Sequence, residues 1–287
     1  MSYLCIDIGG TAIKWARFAR DGSPVTERQE VLTRKTATSN QILEQVVRLV
    51  QAERASGPIE GVAISSAGVV DAEAGVIRSA GPTIPGYAGT DFKAAITGGL
   101  GLPCAVENDV NCMALAEASQ VAVRNVFALT IGTGIGGAVV LNQRLYTGKG
   151  SAGEIGYLPL FDGRTYQEAG CTQALVDLVN ATTEREVATG RDVAAWFGCD
   201  AGVALATTTW LGRIAKGIVT INYIVDPDLF IVGGGIMESN PALVTELEDL
   251  ANAAMEPSFT KPIVIRRAAL GNSAGMIGAL RHLLAAV

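Results

Sequence analysis

Phe127 to Tyr157 reads FALTIGTGIGGAVVLNQRLYTGKGSAGEIGY. An apolar run enters, four glycines and a threonine make the turn (Gly132-Thr133-Gly134 and Gly136-Gly137), and a second apolar run, Ala138–Leu141, leaves. The N-terminus repeats the plan: Tyr3–Ile8 leads into Gly9-Gly10-Thr11 and out through Ile13–Phe18. Glycines between two strands let the backbone approach a ligand closely, and their N–H groups with a threonine hydroxyl suit phosphate oxygens. Two such turns in one chain imply two similar halves facing each other across a nucleotide.

The central glycines also satisfy G-x-G-x-x-G, a dinucleotide fingerprint that requires a strand before the glycines and a helix after them. Here Ala138-Val139-Val140-Leu141 follows, β-branched and apolar, and then Asn142-Gln143 and another short apolar pair. That is a hairpin. An acid does follow at Glu154, but inside a second glycine-rich loop instead of at the end of a second strand. The dinucleotide reading is set aside.

With 287 residues the chain has room for about two domains, each with a substantial core. Hydrophobic residues make up 49% and charged residues 17%, the balance of a packed globular protein. A net charge of −6 without any Lys/Arg cluster argues against a nucleic-acid partner, which needs a basic surface. The N-terminus lacks the layout of a signal peptide, and the longest helix-like stretch, Gly202–Val225, carries Arg213 and Lys216 mid-span. No membrane association is expected, and a cytoplasmic location is. Cys5, Cys104, Cys112, Cys171 and Cys199 are scattered without C-x-x-C, and His282 is the single histidine, so reduced thiols and no zinc site are expected.

Along the chain, Tyr3–Ile8, Ile13–Phe18 and Val25–Leu32 read as a three-strand meander with Asp21-Gly22 in its second turn. A helical stripe over Gln41–Gln51 and a strand Gly61–Ser66 come next, then the small-residue turn Ser65-Ser66-Ala67-Gly68, which admits a ligand or merely turns. A loop of glycine and proline, Gly81–Gly89, precedes a short helix Asp91–Leu100, a strand Cys104–Val106 and a helix Val110–Val121. Beyond the central hairpin, helices are expected at Thr172–Thr183, Asp192–Phe197, Gly202–Val225, Ala242–Met255 and Gly275–Ala286, with strands at Leu229–Val232 and Ile263–Arg266. Strand meanders followed by helices occur twice, which gives the α/β class.

Three polar spots stand out. Asp7 is a carboxylate between Ile6 and Ile8, directly before Gly9-Gly10-Thr11. It is either the polar position of an alternating strand or a group that orders Mg²⁺ through water beside the phosphate turn. Glu107-Asn108-Asp109 sits where a strand meets a helix, with Asn111 close behind. One of these residues suffices to cap the helix, so the cluster points to ligand groups. Glu154 lies among Gly148, Gly150, Gly153 and Gly156, in backbone irregular enough to aim an acid into a cleft.

Taken together, these segments resemble the ROK family of sugar kinases. Asp7-Ile8-Gly9-Gly10-Thr11 with Lys14 resembles the first phosphate motif, and Glu107-Asn108-Asp109 with Asn111 the sugar-binding and catalytic-base segment. Ile131-Gly132-Thr133-Gly134-Ile135-Gly136-Gly137 resembles the second phosphate motif, Gly153-Glu154-Ile155-Gly156 the sugar-contacting loop, and Gly233-Gly234-Gly235 the adenosine segment. Leu270-Gly271-Asn272 through Gly278-Ala279 resembles the family's C-terminal end. The resemblance implies an actin-like, hexokinase-type (ribonuclease H-like) duplicated α/β fold with its active site in an interdomain cleft. Residues 1–117 with 276–287 would form the smaller domain and 118–275 the larger one. It implies Mg-ATP as phosphoryl donor and the 6-hydroxyl of a hexose or β-glucoside as acceptor.

Asp109 would be the general base, and Gly68, Asn108, Asp109, Glu154, Tyr157 and Glu168 would contact the sugar. Asp7, Gly9, Gly10, Thr11, Lys14, Gly132, Thr133, Gly134, Gly234 and Gly235 would hold the nucleotide and its metal. One departure is informative: Tyr157 stands where most members carry histidine, and only Cys171 lies near the family's zinc cysteines. This resembles a zinc-free branch that includes β-glucoside kinases and related hexose kinases. The second sugar-contacting glutamate should fall near Gln167 or Glu168. A homodimer is the usual expectation. The rival within the family is a sugar-sensing protein, either catalytically silent or a transcriptional regulator with a helix-turn-helix domain. Tyr3, at the start of the first strand, leaves no room for such a domain ahead of it, and the net charge is wrong.

Overall fold

The computed structural model describes residues 2–81, 84–161, 163–258 and 261–287. Of the loop Gly81–Gly89, Pro82 and Thr83 lie outside the described residues. In chain order the first elements are β1 (Tyr3–Ile8), β2 (Ala12–Phe18), β3 (Gln29–Leu32), α1 (Ile42–Ser56), β4 (Val62–Ser66), β5 (Val69–Asp71), β6 (Val76–Ser79), β7 (Cys104–Asn108) and α2 (Asp109–Ala118). Then come β8 (Val126–Ile131), β9 (Ile135–Leu141), β10 (Arg144–Tyr146), α3 (Tyr166–Gly170), α4 (Thr172–Thr182), α5 (Gly190–Ala194) and α6 (Ala201–Val225). The chain finishes with β11 (Leu229–Gly233), α7 (Gly235–Ser239), α8 (Pro241–Ala253), β12 (Ile265–Arg267) and α9 (Ala274–Ala286). It divides into two units, Met1–Gln120 with Asn272–Val287, and Val121–Gly271.

The first unit is built on a five-stranded sheet in the order β3-β2-β1-β4-β7. β1 pairs antiparallel with β2 and parallel with β4. Strand alternation sends Leu4, Ile6 and Ile8 to one face, where they pack with Ile42, Val46 and Val50 of α1. Tyr3 and Cys5 go to the other, against Met276, Ala279, Leu280 and Leu283 of α9. Asp7 falls on this second face by the same alternation. A Cβ at Gly278 would run into the Cys112 carbonyl, so glycine lets α9 lie directly on the backbone of α2.

The second unit repeats the scheme with a sheet in the order β10-β9-β8-β11-β12. β8 and β9 form the antiparallel hairpin with Gly132-Thr133-Gly134 at its turn, and β8 runs parallel to β11. A strand, not a helix, therefore follows the central glycines, and the dinucleotide motif fails structurally. The core gathers Phe127, Leu129, Phe230 and Val232 from the sheet with Trp210, Leu211, Ile214 and Ile218 of the long helix α6. Asp226, left-handed at φ 47°, stops that helix just before Pro227. No helix among the described residues is long and apolar enough to cross a membrane.

Some expectations needed adjustment. The third strand begins at Gln29 instead of Val25, because Val25 N–H donates to the Arg17 carbonyl (2.7 Å) while Thr26 Oγ1 accepts from Arg17 N–H (2.9 Å). That irregular tether replaces the ladder there. The helix expected at Asp91–Leu100 widens into a π turn at Ala94–Gly98, where Gly98-Gly99 ease irregular winding. The hairpin β5–β6 was not anticipated, being too short to show a period. Cys199 is exposed, whereas the other four thiols are buried.

Candidate active site

Strand β7 delivers Glu107 and Asn108 to the start of α2, and each has a structural task. Glu107 is buried, and its Oε1 accepts from the Asn108 backbone N–H (2.7 Å) and from Asn111 Nδ2 (3.0 Å). Asn108 is the N-cap: its Oδ1 accepts from Val110 N–H (2.9 Å) and Asn111 N–H (3.2 Å). Its Nδ2 donates to the Gly68 carbonyl (2.9 Å) and to Asp109 Oδ1 (3.0 Å). The amide thus has two donors and two lone pairs, all four engaged within the first unit. Asn108 stands directly beside Asp109, half-buried at the start of α2.

Asp109 is different. Its Oδ1 accepts from Asn108 Nδ2 and from Val110 N–H (2.9 Å), and no other described residue donates to Oδ2. Burial, followed by the nearby charge of Asp7, pushes its pKa up to about 6, against the favourable pull of those two donors. A carboxylate with one oxygen fixed, the other free and a pKa brought toward neutrality is suited to take a proton.

Asp7 sits at the same register as Ser65 of β4, which in turn matches Glu107 of β7. Ser65 Oγ donates to Asp7 Oδ1 at 2.8 Å. Lys14 is the cross-strand partner of Asp7, and its Nζ reaches Asn272 Oδ1 at 3.5 Å. A Cβ at Gly275 would lie 2.8 Å from Asp7 Oδ1 and 2.9 Å from Ser65 Oγ, so the first turn of α9 presses glycine backbone against the carboxylate. Burial raises the pKa of Asp7, partly offset by Ser65 and Lys14. Gly9 N–H donates to the Ala12 carbonyl and Thr33 Oγ1 to the Gly9 carbonyl, which shapes the turn, while Thr11 is exposed at its tip beyond Gly10.

In the second unit the glycines are close-approach points. A Cβ at Gly137 would lie 2.8 Å from the Gly153 carbonyl, and one at Gly153 would strike the Gly137 carbonyl. The loop carrying Glu154 is therefore laid directly on β9. Gly234, at φ 111°, abuts the Ile131 carbonyl, which brings Gly233-Gly234-Gly235 beside the turn Gly132-Thr133-Gly134. Thr133 is exposed. Thr172 N–H donates to the Gly132 carbonyl (2.8 Å), and the Trp210 indole N–H donates to Gly170 O (2.9 Å) and Cys171 O (3.1 Å). The buried Tyr166 hydroxyl donates to Ile214 O (2.7 Å), and its ring fills the place where Gly217 lacks a side chain. These contacts hold the segment after the loop that carries Glu154. Among the described residues no group of three or more His, Cys, Asp or Glu could hold a metal ion.

Glu154 is solvent-open, although surrounding protein raises its pKa. Tyr157 is 66% exposed. Glu168 is exposed, and its carboxylate closes a capping box, accepting from Thr165 N–H (2.7 Å) and Thr165 Oγ1 (2.8 Å). Gln167, its neighbour, instead places Oε1 3.0 Å from where a Cβ at Gly134 or Gly156 would be. Ser65 and Gly275 were missed as neighbours of Asp7; nothing local in the sequence marks contacts so distant along the chain.

The chain matches the model of the ROK family over residues 3–285. It is 31% identical over 299 residues to a β-glucoside kinase of Klebsiella pneumoniae, covering 98% of this chain and 96% of that protein. A ROK family protein of Streptococcus pneumoniae, solved in complex with sucrose, shares 28% identity with a TM-score of 0.87, covering 100% of this chain and 99% of the other. A ROK hexokinase of Thermus thermophilus shares 26% with a TM-score of 0.83, over 98% and 97% of the two chains.

Proposed function

The chain belongs to the ROK family, and we propose that it is an ATP-dependent sugar kinase acting on the 6-hydroxyl of a hexose or β-glucoside. The observation that carries this reading is Asp109: one oxygen pinned by two donors, the other free, the pKa near 6. Oδ2 accepts the proton of the sugar hydroxyl as that oxygen forms a bond to the γ-phosphorus, the bridging P–O bond breaks, and ADP leaves. Phosphoryl transfer depends mostly on positioning and charge stabilisation. Gly9, Gly10, Thr11 and Lys14 on one turn, and Gly132, Thr133, Gly134, Gly234 and Gly235 on the other, are assigned to the nucleotide.

Asp7 fits a magnesium role. It is a hard oxygen ligand with one oxygen on Ser65 and no described donor on the other, which suits an ion that keeps its waters and is held mainly by phosphates. Bound there, Mg²⁺ would neutralise charge building on the phosphate oxygens. Gly68, Glu154 and Tyr157 are assigned to the sugar, and Gln167 takes precedence over Glu168, whose carboxylate is occupied by its helix cap. A β-glucoside is the first acceptor to try, on the Gly156-Tyr157 pair and the likeness to the Klebsiella pneumoniae protein. A cytoplasmic homodimer without zinc completes the reading, checked by light scattering and by a chelator control.

The test is ADP release with Mg-ATP across monosaccharides, N-acetylhexosamines and β-glucosides, with the phosphorylated position read by NMR. Turnover yielding a 6-phosphate is expected. No turnover on any sugar would overturn the kinase reading and favour a sensor.

A further inference from the structure

Gly134 and Gly156 belong to two different loops, yet one side chain occupies the space beside both. Neither has a left-handed φ, so the backbone itself does not call for glycine there. Among the described residues beyond its chain neighbours, a Cβ at Gly134 would come within 4 Å of Gln167 alone, with Oε1 at 3.0 Å and Cδ at 4.0 Å. A Cβ at Gly156 would run into the Ile135 carbonyl and would again lie 3.0 Å from Gln167 Oε1. The amide therefore sits between the turn Gly132-Thr133-Gly134 and the loop that carries Glu154. Its helix, α3, has only five residues and is held from outside. Tyr166 N–H donates to the Leu158 carbonyl (2.8 Å), and Gly170 lies against Ile135, where a Cβ would be 2.9 Å from Cδ1. Gln167 is half-buried, and among the described residues nothing hydrogen-bonds to its amide.

From this we propose that Gln167 is a positioning residue whose side chain spaces the phosphate turn at Gly134 and the sugar loop at Gly156 for phosphoryl transfer. The proposal rests on the kinase reading above, which assigns the turn to ATP and the loop to the sugar. Space is what the side chain supplies. An amide without a partner inside the protein adds no hydrogen bond to the fold, so its contribution there is the volume that the two glycines leave open. Both glycines present backbone to the amide, and the two loops cannot close on each other past it. Transfer needs donor and acceptor near contact, and a misplacement of about 1 Å costs on the order of 10²-fold in rate. Gln167 thus acts on kcat through the two loops, whereas the sugar contact assigned to its amide acts on sugar KM.

Gln167→Ala empties the gap, and steady-state kinetics with Mg-ATP and an accepted sugar should show kcat down roughly 10–100-fold. Gln167→Met refills it with an unbranched apolar chain of similar length. That variant should recover kcat to within about threefold of wild type while sugar KM stays raised, the pattern of a lost ground-state contact. Gln167→Glu keeps the shape but sets a charge beside Gly134, so the KM for ATP should rise roughly tenfold, and less at high salt. It carries the test if Gln167→Ala does not fold. Equal losses of kcat in the alanine and methionine variants would make the amide's own hydrogen bonds the cause. Undiminished kcat in Gln167→Ala would leave the gap without consequence, and an unmoved KM for ATP in Gln167→Glu would take the amide away from the phosphate turn. Each of these results would overturn the proposal alone. A wild-type protein that turns over no sugar would overturn the proposal together with the reading beneath it.

Discussion

The two glycine turns occupy the same place in two sheets of the same strand plan, yet the residues around them are opposite in character. In the first unit the penultimate residue of the leading strand is Asp7, its antiparallel partner is Lys14 and its parallel partner is Ser65. In the second unit the corresponding residue is Thr130, and the partners are Gly136 and Gly233. One architecture thus yields a charged turn and a bare one. Charges near a transferring phosphoryl group order metal and stabilise developing charge. Glycines admit backbone N–H groups to van der Waals range of a ligand. On the proposed kinase reading the duplicated fold would supply two ways to hold phosphate, separated by the side chains at three registered positions.

Making the first turn copy the second is the harshest way to break that division. Asp7→Thr should lower kcat by roughly 10²-fold, the scale of losing a group that orients a catalytic metal, and excess Mg²⁺ should restore only part of it. Full activity at ordinary Mg²⁺ would remove Asp7 from the metal. The reverse exchange, Thr130→Asp, should raise the KM for ATP by roughly tenfold through charge repulsion, with sugar KM little changed.

Glycine substitutions sharpen the contrast at smaller amplitude. Gly137→Ala, with its Cβ 2.8 Å from the Gly153 carbonyl and from an Ile155 side-chain carbon, should cost about 1–3 kcal/mol, a fall in Tm of roughly 3–10 °C by calorimetry. Gly132→Ala meets open space, so its stability should change by less than about 0.5 kcal/mol while ATP binding weakens. If the two melt alike, close approach is not what the second unit's glycines are for.

Much of this was visible in the chain before folding. The turns, the hairpin and Glu107-Asn108-Asp109 declare themselves because their signals are local: apolar runs, glycines, and polar residues at a strand–helix junction. What surrounds Asp7 does not, since Ser65 arrives through a parallel register and Gly275 from the last helix. Nor does adjacency reveal that Glu107 is buried and bonded to its own neighbours while Asp109 keeps an oxygen to which no described residue donates. Glu168 shows how one local signal can serve two readings. Thr165-Tyr166-Gln167-Glu168 has the Thr-x-x-Glu spacing of a capping box, and the structure uses the acid for that.

Asp109→Asn, compared with wild type across pH 4.5 to 9 with Mg-ATP and an accepted sugar, tests the central claim most directly. Wild-type kcat/KM should fall as pH drops through about 6, because the raised pKa protonates the base there, whereas an ordinary aspartate would place that limb near 4. The variant should lose roughly 10²–10⁴-fold in kcat. It should also melt higher than wild type at pH 8. Folding favours protonated Asp109, so its stabilisation is present at low pH and lost as pH rises through 6, and removing the charge recovers on the order of 1–3 kcal/mol. A variant that phosphorylates sugar at the wild-type rate would contradict the assignment of Asp109 as the base.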